Sequence, residues 1–103
     1  MKEPNIRKIT RKMGIPREHK FMGFVLFNPE NDDFLAMGTG EAEMYFSFIW
    51  VKSPVHARKF NSYAAACRLV ERLELGTRVI IMMAFDLGSH IGVTELPSFC
   101  RTH

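Results

Sequence analysis

The predicted strands of this sequence are apolar on both of their faces, and this limits the folds open to the chain. Successive side chains of a strand point to opposite faces, so a sheet with one face in water alternates apolar and polar residues. Residues 21–27, 44–51 and 79–85 instead place apolar side chains on both faces. Each face of such a sheet needs a cover, because large exposed apolar surfaces are uncommon on soluble monomers.

The order of the predicted elements indicates an α+β fold. Runs rich in β-branched and aromatic residues predict four strands, Phe21–Phe27, Phe34–Met37, Met44–Val51 and Thr77–Phe85. The first three form a β-meander, and a helix at Tyr63–Leu75, capped by Ser62 and closed by Gly76, precedes the fourth. We therefore predict an antiparallel four-stranded sheet with one main helix on one face. The sequence also allows a further short strand at Ile91–Thr94, which we do not count among the four.

A short basic helix is predicted ahead of the sheet. Asn5 is a suitable cap and Gly14 a suitable end for a helix over Asn5–Met13. Its apolar residues recur at helical spacing and are Ile6, Ile9 and Met13. A helix of this length is marginal alone, so it either docks or stays a mobile tether. If docked, we expect it to cover part of the second face of the sheet, with the C-terminal tail or a second copy of the chain supplying the rest.

Positive charge is concentrated in the first twenty residues. Residues 1–20 carry seven basic and two acidic side chains, net +5, whereas residues 21–103 carry seven basic and nine acidic ones, net −2. The candidate residues for binding a nucleic acid or an acidic partner are Arg7, Lys8, Arg11, Lys12, Arg17 and Lys20. A basic helical stripe can neutralise a few phosphates in a salt-sensitive, sequence-tolerant way. The alternative is a solvated helix face whose charges pair with acidic residues of the turns.

Negative charge is concentrated in the predicted turns. Residues 28–43 contain no basic residue, and the candidate residues for binding a basic partner are Glu30, Asp32, Asp33, Glu41 and Glu43. Such carboxylates can compete with phosphate for a basic partner surface. The two turns of a meander lie at opposite ends of a sheet, however, so two separate solvated turns are the alternative.

The length of the chain indicates one domain. A chain of 103 residues is near the commonest domain size and buries enough surface for an ordinary core. We expect residues 1–103 to form a single domain, with 1–20 as a basic arm and 21–103 as the α+β body. Two cysteines, a polar start and apolar runs too short to span a bilayer favour a reduced, cytoplasmic protein without membrane contact.

The residues that could carry chemistry do not assemble into a known catalytic or metal pattern. Cys100 and His103 have a metal-like spacing but lack two further ligands. Asp86, Ser89 and His90 fall in one predicted turn, where loop hydrogen bonding explains them better than a catalytic triad. We therefore predict a protein that is not an enzyme, with no catalytic residues, no metal ligands and no cofactor.

A pattern across residues 46–73 resembles a class of small proteins. It is a strand followed by Ser-Pro-x-x-Ala-x-x-Phe and an Ala-rich helix, and its positions are Trp50, Ser53, Pro54, Ala57, Phe60, Ser62, Ala64 and Ala65. These features are similar to small β-meander-plus-helix proteins of bacteriophages and mobile elements, with anti-CRISPR proteins similar in size and style. The resemblance implies a phage or mobile-element context and binding rather than catalysis. It carries over no functional residue.

Three functions follow from these observations. The first, which the resemblance implies, is a small non-enzymatic binding protein that blocks a host nucleoprotein defence complex by protein–protein contact. The second is a nucleic-acid-binding regulator that uses the basic arm. The third is a homo-oligomeric structural module, for example a homodimer in which a second copy covers the free face of the sheet.

Overall fold

The computed structural model describes residues 3–36 and 49–96, in which two α-helices pack on a five-stranded antiparallel sheet. The helices are α1 Ile6–Met13 and α2 Tyr63–Arg72. The strands are β1 Lys20–Asn28, β2 Asp33–Leu35, β3 Trp50–Val51, β4 Ile80–Asp86 and β5 Ile91–Glu95. Their spatial order is β3-β2-β1-β4-β5. The predicted α+β class is confirmed for this part of the chain.

The prediction of four strands is wrong, because the chain after β4 returns as β5. The two strands pair antiparallel, with Asp86 opposite Ile91. Hydrogen bonds from Leu87 N to His90 O (2.9 Å) and from Gly88 N to Asp86 Oδ1 (2.8 Å) close the turn between them. A positive φ of 97° at Gly88 suits a glycine. The polar turn and the short apolar run after it therefore form a hairpin.

β3 is a two-residue strand within the described residues. Trp50 pairs with Leu35 and Val51 with Phe34, so the β1-β2-β3 meander is present. The remainder of the predicted strand Met44–Val51 falls largely within residues 37–48, outside the described part of the chain.

α1 begins and ends at the positions that the sequence predicts. Asn5 Oδ1 accepts a hydrogen bond from Lys8 N (3.1 Å). Gly14 adopts a left-handed φ of 68°, and Ile15 N donates to Thr10 O (2.9 Å) across it. Such a left-handed glycine with its long backbone bond is a standard helix ending.

α2 begins at its predicted cap with help from the arm. Ser62 Oγ accepts a hydrogen bond from Ala65 N (3.1 Å). The two carboxylate oxygens of Glu3 accept from Tyr63 N (2.8 Å) and Ala64 N (2.7 Å). Three otherwise unpaired N–H groups of the first turn are thereby satisfied, and a negative charge lies at the positive end of the helix.

α2 ends at Arg72, before the predicted end at Leu75. Glu74 takes a positive φ of 54°, and Leu75 N bonds back to Val70 O (3.0 Å). This left-handed residue and the bond across it close the helix. The predicted stop, Gly76, lies beyond the end and starts a short 3₁₀ turn.

The basic arm is docked on the body of the domain. Ile9 of α1 is 1% exposed and belongs to the same buried cluster as Tyr63 and Phe24. The carboxylate of Glu3 binds the start of α2. A buried side chain and a charged backbone contact thus hold the arm at two points, so it is part of the folded domain and not a free tether.

Both helices cover the same face of the sheet, which corrects the expectation that α1 covers the second face. Ile9 of α1 and Ala66 of α2 lie in one buried cluster with Leu26 and Met83 of the sheet. The Glu3 carboxylate also binds the N-terminus of α2, which places the start of the arm beside that helix.

The second face of the sheet carries its own buried cluster, which confirms that the sheet is apolar on both sides. Its members are Val25, Phe34, Ala57 and Ala84. Ala57 comes from the turn between β3 and α2, so this turn packs on the second face. The contribution of a second copy of the chain stays a prediction.

A β-bulge at the start of β1 changes the predicted sorting of side chains. The register of β1 against β4 shifts between Phe21 and Gly23. Phe21 therefore lies beside Phe24, with ring centroids 5.1 Å apart, whereas strict alternation places it with Val25. Gly23 permits the bulge with a φ of 133°, a region that side chains rarely adopt.

Candidate functional site

A cleft of about 880 Å³ lies between α1 and the start of β1 and contains most of the basic arm. Its cationic lining residues are Arg7, Arg11, Arg17 and Lys20. The large apolar residues that line it are Ile6, Ile15, Phe21 and Phe85. Four of the six candidate basic residues therefore share one concave surface.

α1 supplies two of these cations. Arg7 and Arg11 are four residues apart, so they lie on one face of the helix, about 6 Å apart along its axis. Ile9 lies about half a turn around the helix from both arginines and is buried, so the arginine side of α1 faces away from the core. Lys8 and Lys12 are exposed but do not line the cleft.

The turn after α1 supplies the other two cations. Gly14 ends the helix, and a hydrogen bond from His19 N to Pro16 O (3.0 Å) closes a second turn. Arg17 lies in this turn and Lys20 begins β1, and both line the cleft. Because the chain reverses in this turn, Arg17 and Lys20 line the same cleft as the two arginines of α1.

The positive charge of the cleft is not compensated by its lining. Among the described residues, no Asp or Glu lines it. The four cationic side chains have no ion-pair or hydrogen-bond partner among residues 3–36 and 49–96. Cations gathered around a concave, partly apolar wall strengthen the local positive potential and attract polyanions.

A second basic cleft, of about 590 Å³, has a different charge balance. Its charged lining residues are Arg58, Arg68, Glu71 and Arg72. Arg58 also lies over the Phe60 ring, 5.0 Å from its centroid. A carboxylate in the lining and a cation already placed on an aromatic ring make this surface a weaker anion site than the arm cleft.

An apolar pocket of about 210 Å³ adjoins the arm cleft. The two cavities share Ile15, His19 and Phe85. The other walls of the pocket are Met13, Leu87, Gly92, Val93 and Thr94. A cationic surface therefore continues directly into an apolar one, with a half-buried histidine at the boundary.

Sequence reasoning did not identify His19 or the walls of this pocket. The residues come from the turn after α1, from the end of β4 and from β5. No local spacing relates residues 13–19 to residues 85–94, because only the pairing of β4 with β1 and β5 brings them together.

The acidic candidates differ in their availability. Glu30 and Asp32 are exposed in the turn between β1 and β2. Asp33 is 8% exposed, and its Oδ2 lies 4.0 Å from Lys52 Nζ. Glu41 and Glu43 lie outside the described residues. Of the five acidic candidates, Glu30 and Asp32 are therefore the exposed ones among the described residues.

The polar residues of the β4–β5 turn hold the turn together. Asp86 Oδ1 accepts from Gly88 N (2.8 Å), and Ser89 Oγ is hydrogen-bonded to His90 Nδ1 (2.9 Å). All three polar side chains are exposed. The predicted loop hydrogen bonding is present in this turn.

Cys67 lines a further cavity, of about 500 Å³, beside α2. Burial raises the pKa of its thiol; a hydrogen bond with Tyr63 offsets part of this rise, and the negative charges of Glu71 and Glu3 add to it. The thiolate is the reactive form of cysteine. The environment of Cys67 therefore suits an inert packing residue and not a nucleophile.

Comparison with protein-family models, with curated proteins and with solved structures gave no match. The resemblance to phage and mobile-element proteins stays a prediction. Within the described residues, no helix is both long and apolar enough to cross a membrane. In the same part of the chain, no three His, Cys, Asp or Glu residues group as metal ligands. Cys100 and His103 lie outside it.

Proposed function

We propose that this protein binds the phosphate backbone of a nucleic acid in the cleft between α1 and the start of β1. The observation that carries this proposal is the convergence of four cationic side chains on one concave surface, without a neutralising partner among the described residues. The forked guanidinium of arginine matches phosphate oxygens bidentately, and the ammonium of lysine adds a point charge. Three arginines and one lysine therefore form a phosphate-binding surface.

The charged lining also favours a ligand that accepts hydrogen bonds and donates none. Arginine and lysine side chains carry donors only. A phosphodiester backbone offers acceptor oxygens, whereas a peptide also brings N–H groups that need acceptors. Phosphate is therefore a better match to these side chains than an acidic peptide is.

The docking of the arm supports binding by holding the cleft in shape. Glu3 fixes the start of the arm, Ile9 fixes its middle, and Gly14 sets the turn that follows. A rigid surface loses less conformational entropy on binding than a mobile tether does. The contacts of Glu3 and Ile9 thus contribute to affinity without touching the ligand.

A pair of matched variants tests this proposal. Arg7→Ala/Arg11→Ala removes two charges from the cleft, and Lys8→Ala/Lys12→Ala removes two from the same helix outside it. We expect the first variant to weaken binding of fluorescein-labelled single-stranded and duplex DNA at low salt by about tenfold or more. The second should weaken it by less than about threefold, since Lys8 and Lys12 do not line the cleft and contribute only through their longer-range field. Absence of binding to either DNA at low salt would contradict the proposal.

The interaction hypothesis calls for a different measurement. An inhibitor that blocks a host nucleoprotein complex by protein–protein contact would be captured by that complex even after its nucleic acid is digested. Binding through the arm cleft would be lost on digestion. Pull-down with a nucleoprotein complex, before and after nuclease treatment, therefore separates the two functions.

A further inference from the structure

We infer that the ligand of the arm cleft is a single-stranded nucleic acid and that one of its bases occupies the apolar pocket beside His19. This inference rests on the proposed phosphate-binding function of the cleft. It goes beyond that function by naming the class of nucleic acid and by assigning a base-binding site.

Two chemically different cavities adjoin each other at the arm. The cationic cleft and the 210 Å³ apolar pocket share three residues, so a ligand can contact both at once. A nucleic-acid strand has the same division, because its charged phosphates alternate with sugars that carry bases, and the flat faces of the bases are apolar. Proteins that bind single strands combine a positive groove with apolar or aromatic contacts to bases in this way.

The walls of the pocket are apolar and adaptable. Met13, Leu87 and Val93 give it apolar walls, and Phe85 lies between it and the cleft. Met13 is 40% exposed, so part of its side chain is available to a ligand. A polarisable methionine adapts its shape to flat rings. These walls suit the flat face of a base, and they offer few polar groups that could distinguish one base from another.

His19 lies at the boundary between the cleft and the pocket. It lines both cavities and is half-buried, and its backbone N–H donates to Pro16 O (3.0 Å). Histidine is among the side chains on which exposed bases stack. A base entering the pocket from the cleft passes this ring.

A duplex fits the same surface less well. Its bases are paired and stacked inside the helix, so a base reaches the pocket only after it is flipped out, at the cost of unstacking. A single strand presents its bases without this cost.

A test with the unaltered full chain uses three labelled ligands of equal length. These are a twelve-nucleotide oligothymidylate, an abasic strand with the same phosphates, and the corresponding duplex. We expect fluorescence anisotropy to show the oligothymidylate binding about fivefold or more tightly than the abasic strand, and more tightly than the duplex. The abasic strand should keep the same salt dependence, because its phosphates are unchanged.

Each other outcome of this test has a separate meaning. Equal affinity for the oligothymidylate and the abasic strand would overturn the base pocket but leave phosphate binding in place. Equal or tighter binding of the duplex would overturn the single-strand assignment alone. Failure of all three ligands to bind would overturn the proposed function as well, and so would tighter binding of polyglutamate than of any nucleic acid.

Two methionines provide a matched pair of variants for the pocket. Met13 lines it, whereas Met22 does not, and their exposures are similar at 40% and 38%. We expect Met13→Ala to weaken oligothymidylate binding by about threefold through lost apolar contact, with no change for the abasic strand. Met22→Ala should change neither affinity. If Met13→Ala leaves the ratio of the two affinities at its wild-type value, the base does not occupy this pocket.

Discussion

Gly23 determines where the Phe21 ring lies. A side chain at Gly23 would place its Cβ 2.8 Å from Phe60 O and 3.2 Å from Lys59 Cβ, on a backbone with a φ of 133°. The glycine thus permits both the bulge in β1 and the two backbone hydrogen bonds between Phe24 and Phe60, each 2.8 Å long. Because the bulge shifts the register, Phe21 lines the arm cleft.

We predict that Gly23→Ala lowers the free energy of unfolding by about 3 kcal/mol, through backbone strain together with the clash against a backbone oxygen. Gly88→Ala is the control, because Gly88 also has a positive φ but has no atom within 4 Å of the added Cβ. Its cost should be that of the strain alone, about 1 kcal/mol. Urea denaturation measures both, and equal losses would show that the contact with Phe60 is unimportant.

Cys67 should react slowly with alkylating agents in the folded protein. Burial raises the pKa of its thiol, so the folded protein holds less thiolate at pH 8 than an unfolded chain does, and the thiolate is the form that reacts. The measurement is the rate of iodoacetamide alkylation in a Cys100→Ser background, with and without urea. A folded rate equal to the unfolded rate would contradict the assignment of Cys67 as a packing residue.

At the scale of elements, α1 shows which part of the arm was predictable. Asn5 and Gly14 are local signals, and both act as the sequence predicts. The start of the arm is bonded through Glu3 to the first turn of α2, sixty residues away in the chain. In the sequence, Glu3 counts only as a charge that reduces the net charge of the arm. Its role as a second cap of α2 is a tertiary property.

Glu3→Ala should lower the free energy of unfolding by about 1–2 kcal/mol, because two N–H groups of α2 lose their acceptors and the positive end of the helix loses its anion. Glu18→Ala is the matched control, since Glu18 is an exposed carboxylate of the same arm. Its effect should stay within about 0.5 kcal/mol. Thermal or urea unfolding followed by circular dichroism gives both values. An unchanged stability of Glu3→Ala would show that the contact between Glu3 and α2 does not hold the arm.

At the scale of the whole molecule, the predictable features are those that depend on local pattern. The unbroken apolar run at residues 79–85 predicts two buried faces, and the described fold has them. The cleft was not predictable, because Arg7 and Lys20 meet only after Gly14 reverses the chain and Ile9 docks. The apolar pocket required β5 as well. The candidate site is therefore built by contacts between residues far apart in the chain, and local periodicity in the sequence does not predict such contacts.

The salt dependence of DNA binding tests most directly whether the four cations of the arm cleft bind phosphates. If four cations contact phosphates, a plot of log affinity against log salt concentration should have a slope of about −3 for a single strand. The variant in which Arg7, Arg11, Arg17 and Lys20 are all changed to Ala should have a slope near zero. The charge-matched control changes Lys8, Lys12, Arg68 and Arg78 to Ala, none of which lines the cleft. We expect its slope to stay close to that of the unaltered protein. Equal loss of slope in the two fourfold variants would contradict the account, because net charge and not the cleft would then determine binding.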